Sequence, residues 1–184
     1  IRDRDVTGVQ TCALPIFGGS VEQFVVEMNA AAKKLGMKNS QWRNPHGLPA
    51  REHYTSARDL ARLAKAIIAE FPEYYRLYSE REFSYHGIKQ QNRNQLLWRD
   101  PSVDGMKTGF TAAAGYCLVS SAARDGMRLI AVVLGAENPR LRNDGAKKLL
   151  DYGFANFETR KVYSAGQQVE AAPVTGGDAE FAGV

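Results

Sequence analysis

Lys107, Thr108 and Gly109 follow one another within the stretch Val103-Asp-Gly-Met-Lys-Thr-Gly-Phe-Thr111. Such a triplet can recognise the carboxylate at the end of a peptide. Lys107 offers a positive charge and Thr108 a hydroxyl donor. Gly109 carries no side chain, so a ligand backbone can approach the strand and pair with its edge. Taken alone, the triplet also fits a solvated lysine followed by an ordinary strand-forming threonine. The remaining reactive side chains point to less. His46, in Asn44-Pro-His-Gly-Leu48, has no partner at metal or triad spacing and reads as a residue that shapes its loop. His53 and His86 stand in polar loop contexts. Cys117 sits among apolar neighbours and reads as a small buried hydrophobe. A Cys–His hydrolase would need a base beside it, and the sequence identifies none. Cys12 and Cys117 form neither a disulfide framework nor a metal spacing.

The elements that must position the triplet are regular. Ser20-Val-Glu-Gln23 reads as a capping box. It opens a helix in which Phe24, Met28, Ala31, Ala32 and Leu35 recur at helical spacing until Gly36 ends the run. Lys38 to Thr55 forms a long turn-rich loop. Ser56-Ala-Arg-Asp59 starts a second helix with Leu60, Leu63, Ala64, Ile67 and Ile68 on one face, stopped by Phe71-Pro72. Residues 82–85 and 88–91 flank His86-Gly87 as a hairpin. Trp98-Arg-Asp-Pro-Ser102 is rich in turn residues, and strands follow near 105–110, 116–122 and 128–134. Asn138-Pro139 begins a last helix running through Leu141, Leu149, Leu150 and Phe154, with proline at its favoured first position. Consecutive strands bounded by helices predict an α+β fold, an antiparallel sheet flanked by helices.

Composition narrows the function. The chain has 184 residues, enough for one ordinary domain. With 24 basic against 20 acidic side chains the net charge is +4, and no aromatic-interleaved basic stripe accompanies it. Nucleic-acid binding is therefore not expected. The longest apolar run, Leu129 to Leu134, is too short to span a bilayer.

Four further blocks join the triplet. Asn44-Pro-His-Gly-Leu48, Tyr54-Thr-Ser-Ala-Arg-Asp-Leu60 and Asn92-Arg-Asn-Gln-Leu-Leu-Trp98 precede it, and Arg128-Leu-Ile-Ala-Val-Val-Leu134 follows. In order and spacing, from about Gly18 to about Tyr163, they resemble the low-molecular-mass penicillin-binding proteins. These are the serine-type D-alanyl-D-alanine carboxypeptidases of peptidase family S11. The resemblance implies the penicillin-binding-protein/β-lactamase-like transpeptidase fold. The reaction it implies is removal of the terminal D-alanine from peptidoglycan stem pentapeptides through a serine acyl-enzyme, with neither metal nor organic cofactor. Stem peptide and β-lactam antibiotics would be the partners, and the location the periplasm or the outer face of the cytoplasmic membrane. A D,D-endopeptidase of the same family and a non-catalytic peptidoglycan-binding relative are the alternative readings.

By the same resemblance, Lys107, Thr108 and Gly109 line the substrate strand, and the backbone N–H of Phe110 is one oxyanion donor. Arg142 lies near the substrate's terminal carboxylate, where a guanidinium fork suits a planar anion. A helix register shifted by two would put Arg140 there instead. Arg93 stands beside the cleft, where structural pairing is an equal expectation. The family's nucleophile lies in Ser-x-x-Lys, with a Ser-x-Asn motif beside it. No serine in this chain has lysine three residues on or asparagine two on. The nearest approach is Ser121-Ala-Ala-Arg124, and arginine does not deprotonate to act as a base.

The first residues read differently. Ile1 to Ile16 resembles the in-frame translation of a sequencing-library adapter, so residues 1–17 are expected to be non-native and left out of fold reasoning. Residues 18–162 would then be the C-terminal part of the catalytic domain, incomplete at its N-terminus. Residues 163–184, with Gly166-Gln-Gln-Val-Glu-Ala-Ala-Pro-Val174, would open a truncated β-rich domain.

Overall fold

A computed structural model describes residues 18–160, 162–164, 166–169, 171–173 and 181–183. The expectation for residues 1–17 lies outside them. Helix α1 spans Val21–Lys34 and α2 spans Ala57–Glu70. Their caps are those the sequence announces: Ser20 Oγ accepts from the Gln23 N–H at 3.1 Å, and Ser56 Oγ from the Asp59 N–H at 3.2 Å. Each cap satisfies one of the orphan donors of a helix N-terminus. Phe24, Met28, Ala32 and Leu35 turn inward on α1, whereas Ala31 is exposed. Pro72 ends α2 and also opens the short helix α3, Pro72–Tyr75, as its first residue; a 3-10 turn, Arg76–Ser79, follows.

Strands β1 (Glu82–Tyr85) and β2 (Ile88–Gln91) form the expected two-residue hairpin, with His86 and Gly87 both at positive φ. A single-turn helix α4, Leu96–Arg99, stands in the region the sequence shows as turn-rich. The main sheet is β3 (Val103–Thr111), β4 (Gly115–Arg124) and β5 (Met127–Ala136), antiparallel in the order β3-β4-β5. All three are longer than the apolar runs that announced them, because pairing carries the ladder into polar residues. Helix α5, Pro139–Asn156, is capped by Asn138, whose Oδ1 accepts from the Leu141 N–H at 2.9 Å. Strands β6 (Ala171–Pro173) and β7 (Phe181–Gly183) pair with each other.

The sheet is covered on both faces, and strand periodicity decides which residue goes where. Leu118 and Ala122 of β4, with Ala131, Leu129 and Val133 of β5, pack against Ala146, Leu150 and Phe154 of α5 and against Leu96 and Leu97 of α4. Val119, Ile130 and Met106 face the other way, toward Ala64, Ile67 and Ile68 of α2 and toward Tyr75 and Tyr78. Helix α5 comes close because it carries glycine where it crosses β5: a Cβ on Gly153 would lie 2.5 Å from Leu129 Cδ1.

Polar groups fix the joints between layers. Tyr75 Oη donates to Asp104 Oδ1 at 2.9 Å, and Arg128 reaches Asp104 Oδ2 at 2.7 Å and Ser121 Oγ at 2.7 Å. The carbonyl of Gly105 accepts from both Asn94 Nδ2, at 2.9 Å, and Ser120 Oγ, at 3.1 Å. The loop between α1 and α2 is held by side chains at both ends. Asn29 bonds the N–H and carbonyl of Trp42, each at 2.9 Å. The buried Asp59 accepts from the Asn39 N–H at 2.7 Å and the Ser40 hydroxyl at 2.9 Å, and pairs with Arg62 at 3.0 Å.

Two expected outcomes follow from these joints. A Cβ on Gly105 would lie 2.5 Å from the Tyr75 hydroxyl oxygen and 3.1 Å from its Cζ. Gly105→Ala should cost roughly 1–3 kcal/mol in denaturant unfolding, the usual range for overpacking. The cost should shrink in a Tyr75→Phe background, which removes the clashing oxygen; equal costs in both backgrounds would show that the strain lies elsewhere. The second concerns Asp59. Burial pushes its carboxyl up, but the Asn39 N–H, the Ser40 hydroxyl and Arg62 together hold it below the usual carboxylate value. A depressed carboxylate contributes stability that is fully present above the unfolded-state value of about 4 and is lost as pH falls through the folded one. The stability gap between the protein and Asp59→Asn should therefore be constant near neutrality and close below roughly pH 4. A gap that persists unchanged to pH 3 contradicts this.

Candidate functional site

Lys107, Thr108, Gly109 and Phe110 occupy the second half of β3, an edge of the main sheet; no strand among the described residues pairs with its outer side. Their neighbours on β4 are Val119, Leu118, Cys117 and Tyr116 in turn. Lys107 is exposed, and its Nζ donates to the Thr108 carbonyl at 2.6 Å. The half-buried Thr108 pairs with Leu118, a residue of the α5-facing core. Phe110 stacks on Tyr116 with centroids 4.2 Å apart and stays half exposed. At Gly109 a Cβ would touch only Cys117 Cβ, at 4.0 Å, an ordinary contact. The fold's own packing therefore does not require glycine here. Its bareness leaves the strand edge open to something outside.

Arg142 enters from the first turns of α5. The residue is 5% exposed. Its Nε donates to Asn143 Oδ1 at 3.2 Å and its Nη2 to the Arg93 carbonyl at 3.3 Å. No carboxylate among the described residues lies within ion-pair distance of it. Burial pulls its pKa below the ordinary arginine value, opposed by Cys117 and Tyr116 nearby. Its helix, α5, packs on β4 and β5, the strands beyond β3 in the sheet. No buried side-chain nitrogen or oxygen among the described residues lacks a partner, so Nη1, which has none, reaches solvent. Arg140, two residues earlier, is exposed.

The corner that presents the Arg93 carbonyl is held on both sides. Asn92 Nδ2 donates to the Glu80 carbonyl at 2.9 Å, and Asn92 Oδ1 accepts from the Asn94 N–H at 2.9 Å. Asn94, fully buried, reaches β3 through the Gly105 carbonyl. Arg93 thus joins the cluster through its main chain. Asn143, also fully buried, donates Nδ2 to Gln95 Oε1 at 3.0 Å. Asn94, Gln95 and Asn143 are the residues that inspection of the sequence passed over. They carry no catalytic chemistry, and each makes a bond to a residue distant in sequence, 11 residues away for Asn94 and 48 for Gln95 and Asn143.

The other candidates separate from this cluster. His46 Nδ1 accepts from the Leu48 N–H at 3.2 Å, and the neighbouring Asn44 Oδ1 accepts from the Gly47 N–H at 2.8 Å, the loop-shaping role its context implied. His53 Nδ1 accepts from the Arg43 N–H at 3.2 Å and its ring stands edge-on to Trp42. Cys117 corrects the reading of a buried hydrophobe: it is half-buried, at the point where the β4–β5 register shifts between Tyr116 and Leu118. Its thiol approaches the Ala114 carbonyl at 3.5 Å. No group of three or more His, Cys, Asp or Glu among the described residues could hold a metal, and no described helix is long and apolar enough to cross a membrane.

Comparison with known proteins identifies the family and the fold. The chain is 48% identical over 162 residues to D-alanyl-D-alanine carboxypeptidase DacA of Haemophilus influenzae; the match takes in 87% of this chain and 41% of that protein. The structure superposes on penicillin binding protein 5 from Haemophilus influenzae with a TM-score of 0.89 and 44% identity, over 94% of this chain and 51% of the other. It superposes on penicillin-binding protein D2 from Listeria monocytogenes, solved in a cefotaxime-bound form, with a TM-score of 0.67 and 36% identity, over 71% and 55%. The chain thus spans about two-fifths of the length of the curated relative and half that of the solved ones. The family profile described as D-alanyl-D-alanine carboxypeptidase matches residues 12–138, a stretch that begins inside the 1–17 segment and runs through the triplet to the cap of α5. On a match of that extent, the chain belongs to the peptidase S11 family.

Proposed function

We propose that this chain is the carboxylate-recognition part of a serine-type D-alanyl-D-alanine carboxypeptidase, an enzyme that trims the terminal D-alanine from peptidoglycan stem pentapeptides. The observation that carries the proposal is Arg142. Taking a guanidinium out of water costs several kcal/mol unless an anion compensates it, and here only an amide and a carbonyl oxygen receive it. A buried cation held by neutral acceptors, with Nη1 unbonded among the described residues and on the helix that packs against β4 and β5, suits an anion from outside. The free C-terminal carboxylate of a peptide lying along β3 supplies that anion. Thr108 and Lys107 add a hydroxyl and a second positive charge, and Gly109 lets the peptide backbone reach the edge.

In this reading the stem peptide pairs with β3, and its carboxylate is clamped by Arg142 with Thr108. A serine of the family's Ser-x-x-Lys motif attacks the carbonyl between the two D-alanines, its proton passing to the lysine. The N–H of Phe110 donates to the developing oxyanion. The carbon–nitrogen bond breaks, the terminal D-alanine leaves as an amine, and water hydrolyses the acyl-enzyme. Penicillins acylate the same serine, which fits the cefotaxime carried by the Listeria relative. A location at the bacterial envelope, in the periplasm or on the outer face of the cytoplasmic membrane, follows from such a substrate. The serine and lysine are not among these 184 residues, so the chain supplies recognition and the carboxypeptidase activity belongs to a protein containing both halves of the cleft.

Two outcomes test the proposal. The 184-residue chain incubated with a fluorescent penicillin should show no covalent band after denaturing electrophoresis. A labelled band would reveal a nucleophile within it, with Ser120 and Ser121 the first serines to replace. In a full-length family member carrying these residues, Arg142→Ala should reduce kcat/KM on free-carboxylate peptides by roughly 1–3 kcal/mol, the cost of a charge-assisted hydrogen bond. A C-terminally amidated analogue should lose less. Equal losses on both substrates would remove Arg142 from the site.

A further inference from the structure

We infer that Asn143 and Gln95 are positioning residues: together they aim the Arg142 guanidinium at the ligand carboxylate while leaving its charge uncompensated. The inference rests on the carboxylate reading above and adds how this chain achieves it. Arg142 has five N–H donors and no acceptor. Its Nε is taken by Asn143 Oδ1 at 3.2 Å and one Nη2 hydrogen by the Arg93 carbonyl at 3.3 Å. A carboxylate can grip a guanidinium side-on, through Nε and one Nη, or end-on, through both Nη atoms. With Nε occupied the side-on fork is closed. The end-on fork remains, led by the solvent-reaching Nη1.

The orientation of the Asn143 amide is forced by chemistry. Its oxygen must face the guanidinium, which only donates, so its NH2 must point away. There it meets Gln95 Oε1 at 3.0 Å, an acceptor from a segment 48 residues earlier in the chain. Gln95 thereby fixes the far end of an amide whose near end is held by Arg142. Asn143 is completely buried and Arg142 nearly so, which leaves the pair little freedom to rotate.

The choice of an amide also matters electrically. The other arginines tied across the sheet are matched by carboxylates: Arg124 by Asp100 at 2.7 Å and Arg128 by Asp104 at 2.7 Å. A carboxylate at position 143 could orient Nε equally well, but it would neutralise the charge that the ligand needs. In a poorly solvated setting that compensation is worth far more than at an open surface. Asparagine supplies the geometry without the charge.

The test measures binding of two probes to the 184-residue chain by NMR titration: an N-acetylated tripeptide ending in D-alanyl-D-alanine, and its C-terminal amide. The quantity read is the ratio of the two dissociation constants, alongside the Arg142 Nε–H resonance. The unsubstituted chain should prefer the carboxylate by roughly tenfold or more, as a charge-assisted bond implies. Arg142→Ala should abolish that preference. Asn143→Ala should remove most of it and broaden the Nε–H signal. Asn143→Asp keeps an acceptor beside Nε and adds an ion pair, with the Gln95 amide turned so that its NH2 meets the second carboxylate oxygen, so it should retain the Nε–H signal, yet still lose preference by roughly tenfold. A purely structural role for Asn143 would not produce that split, and if Asn143→Ala fails to fold, Asn143→Asp decides. Loss of preference in Arg142→Ala but not in Asn143→Asp would overturn the positioning role and leave the carboxylate reading standing. No preference in the unsubstituted chain, or one that survives Arg142→Ala, would overturn the carboxylate reading and this inference with it.

Discussion

The arrangement depends on β4 being buried on both faces and paired on both edges. Its alternating side chains, Leu118 and Ala122 toward α5 and Val119 toward α2, commit each helix layer to one side of the sheet. A slip of one residue would exchange the two sets, in one direction putting Ser121 where Ala122 packs and Cys117 where Leu118 packs, so the register is strongly specified. Pairing with β3 then decides where Lys107, Thr108 and Gly109 fall, and pairing with β5 decides where the chain turns into α5 and delivers Arg142. Two parts of the site that meet across more than thirty residues of sequence thus take their relative placement from one strand that carries no site chemistry.

Against that frame the treatment of charge is uneven. Asp59, Asp100 and Asp104 are each matched by an arginine and by additional donors. Arg142 alone among these shielded ionic groups is stabilised by neutral oxygens. Such a group works against the folded state, since desolvation is not returned by an opposite charge. It is tolerated because α5 is anchored elsewhere, by Ala146, Leu150 and the close approach at Gly153. Locally unfavourable features set within a well-packed frame are the pattern expected where a site departs from what folding alone prefers.

Much of the frame was legible because it is written in local chemistry. Ser20, Ser56 and Asn138-Pro139 announce helix starts by capping alone, and His86-Gly87 suits a two-residue hairpin turn by its tolerance of positive φ. Helix α4 was not legible: four residues have no period to display, and Leu96 and Leu97 are helical because Asn94 caps the corner and the core receives them. The triplet was legible by type and order, and Arg142 by its resemblance to an arginine of the family. The burial of Arg142 was not, since it depends on the Arg93 carbonyl arriving from 49 residues away. Asn143 and Gln95 read as unremarkable polar residues until tertiary structure brings them together. The partial exposure of Cys117 was not legible either, since its apolar neighbours in sequence are the same as those of a buried strand residue.

One small feature has reach beyond its size. The Gly105 carbonyl receives Asn94 from the corner beside Arg93 and Ser120 from the central strand. Both donors are fully buried, so neither can turn to water if the oxygen moves. The carbonyl therefore acts as an index mark on β3, two residues ahead of Lys107. Sliding the strand would strand two hydrogen-bond donors at once, each a penalty of about 1–3 kcal/mol. A peptide arriving at the outer edge consequently meets a ruler whose zero is already set, and the entropy of finding the correct alignment falls on the ligand alone.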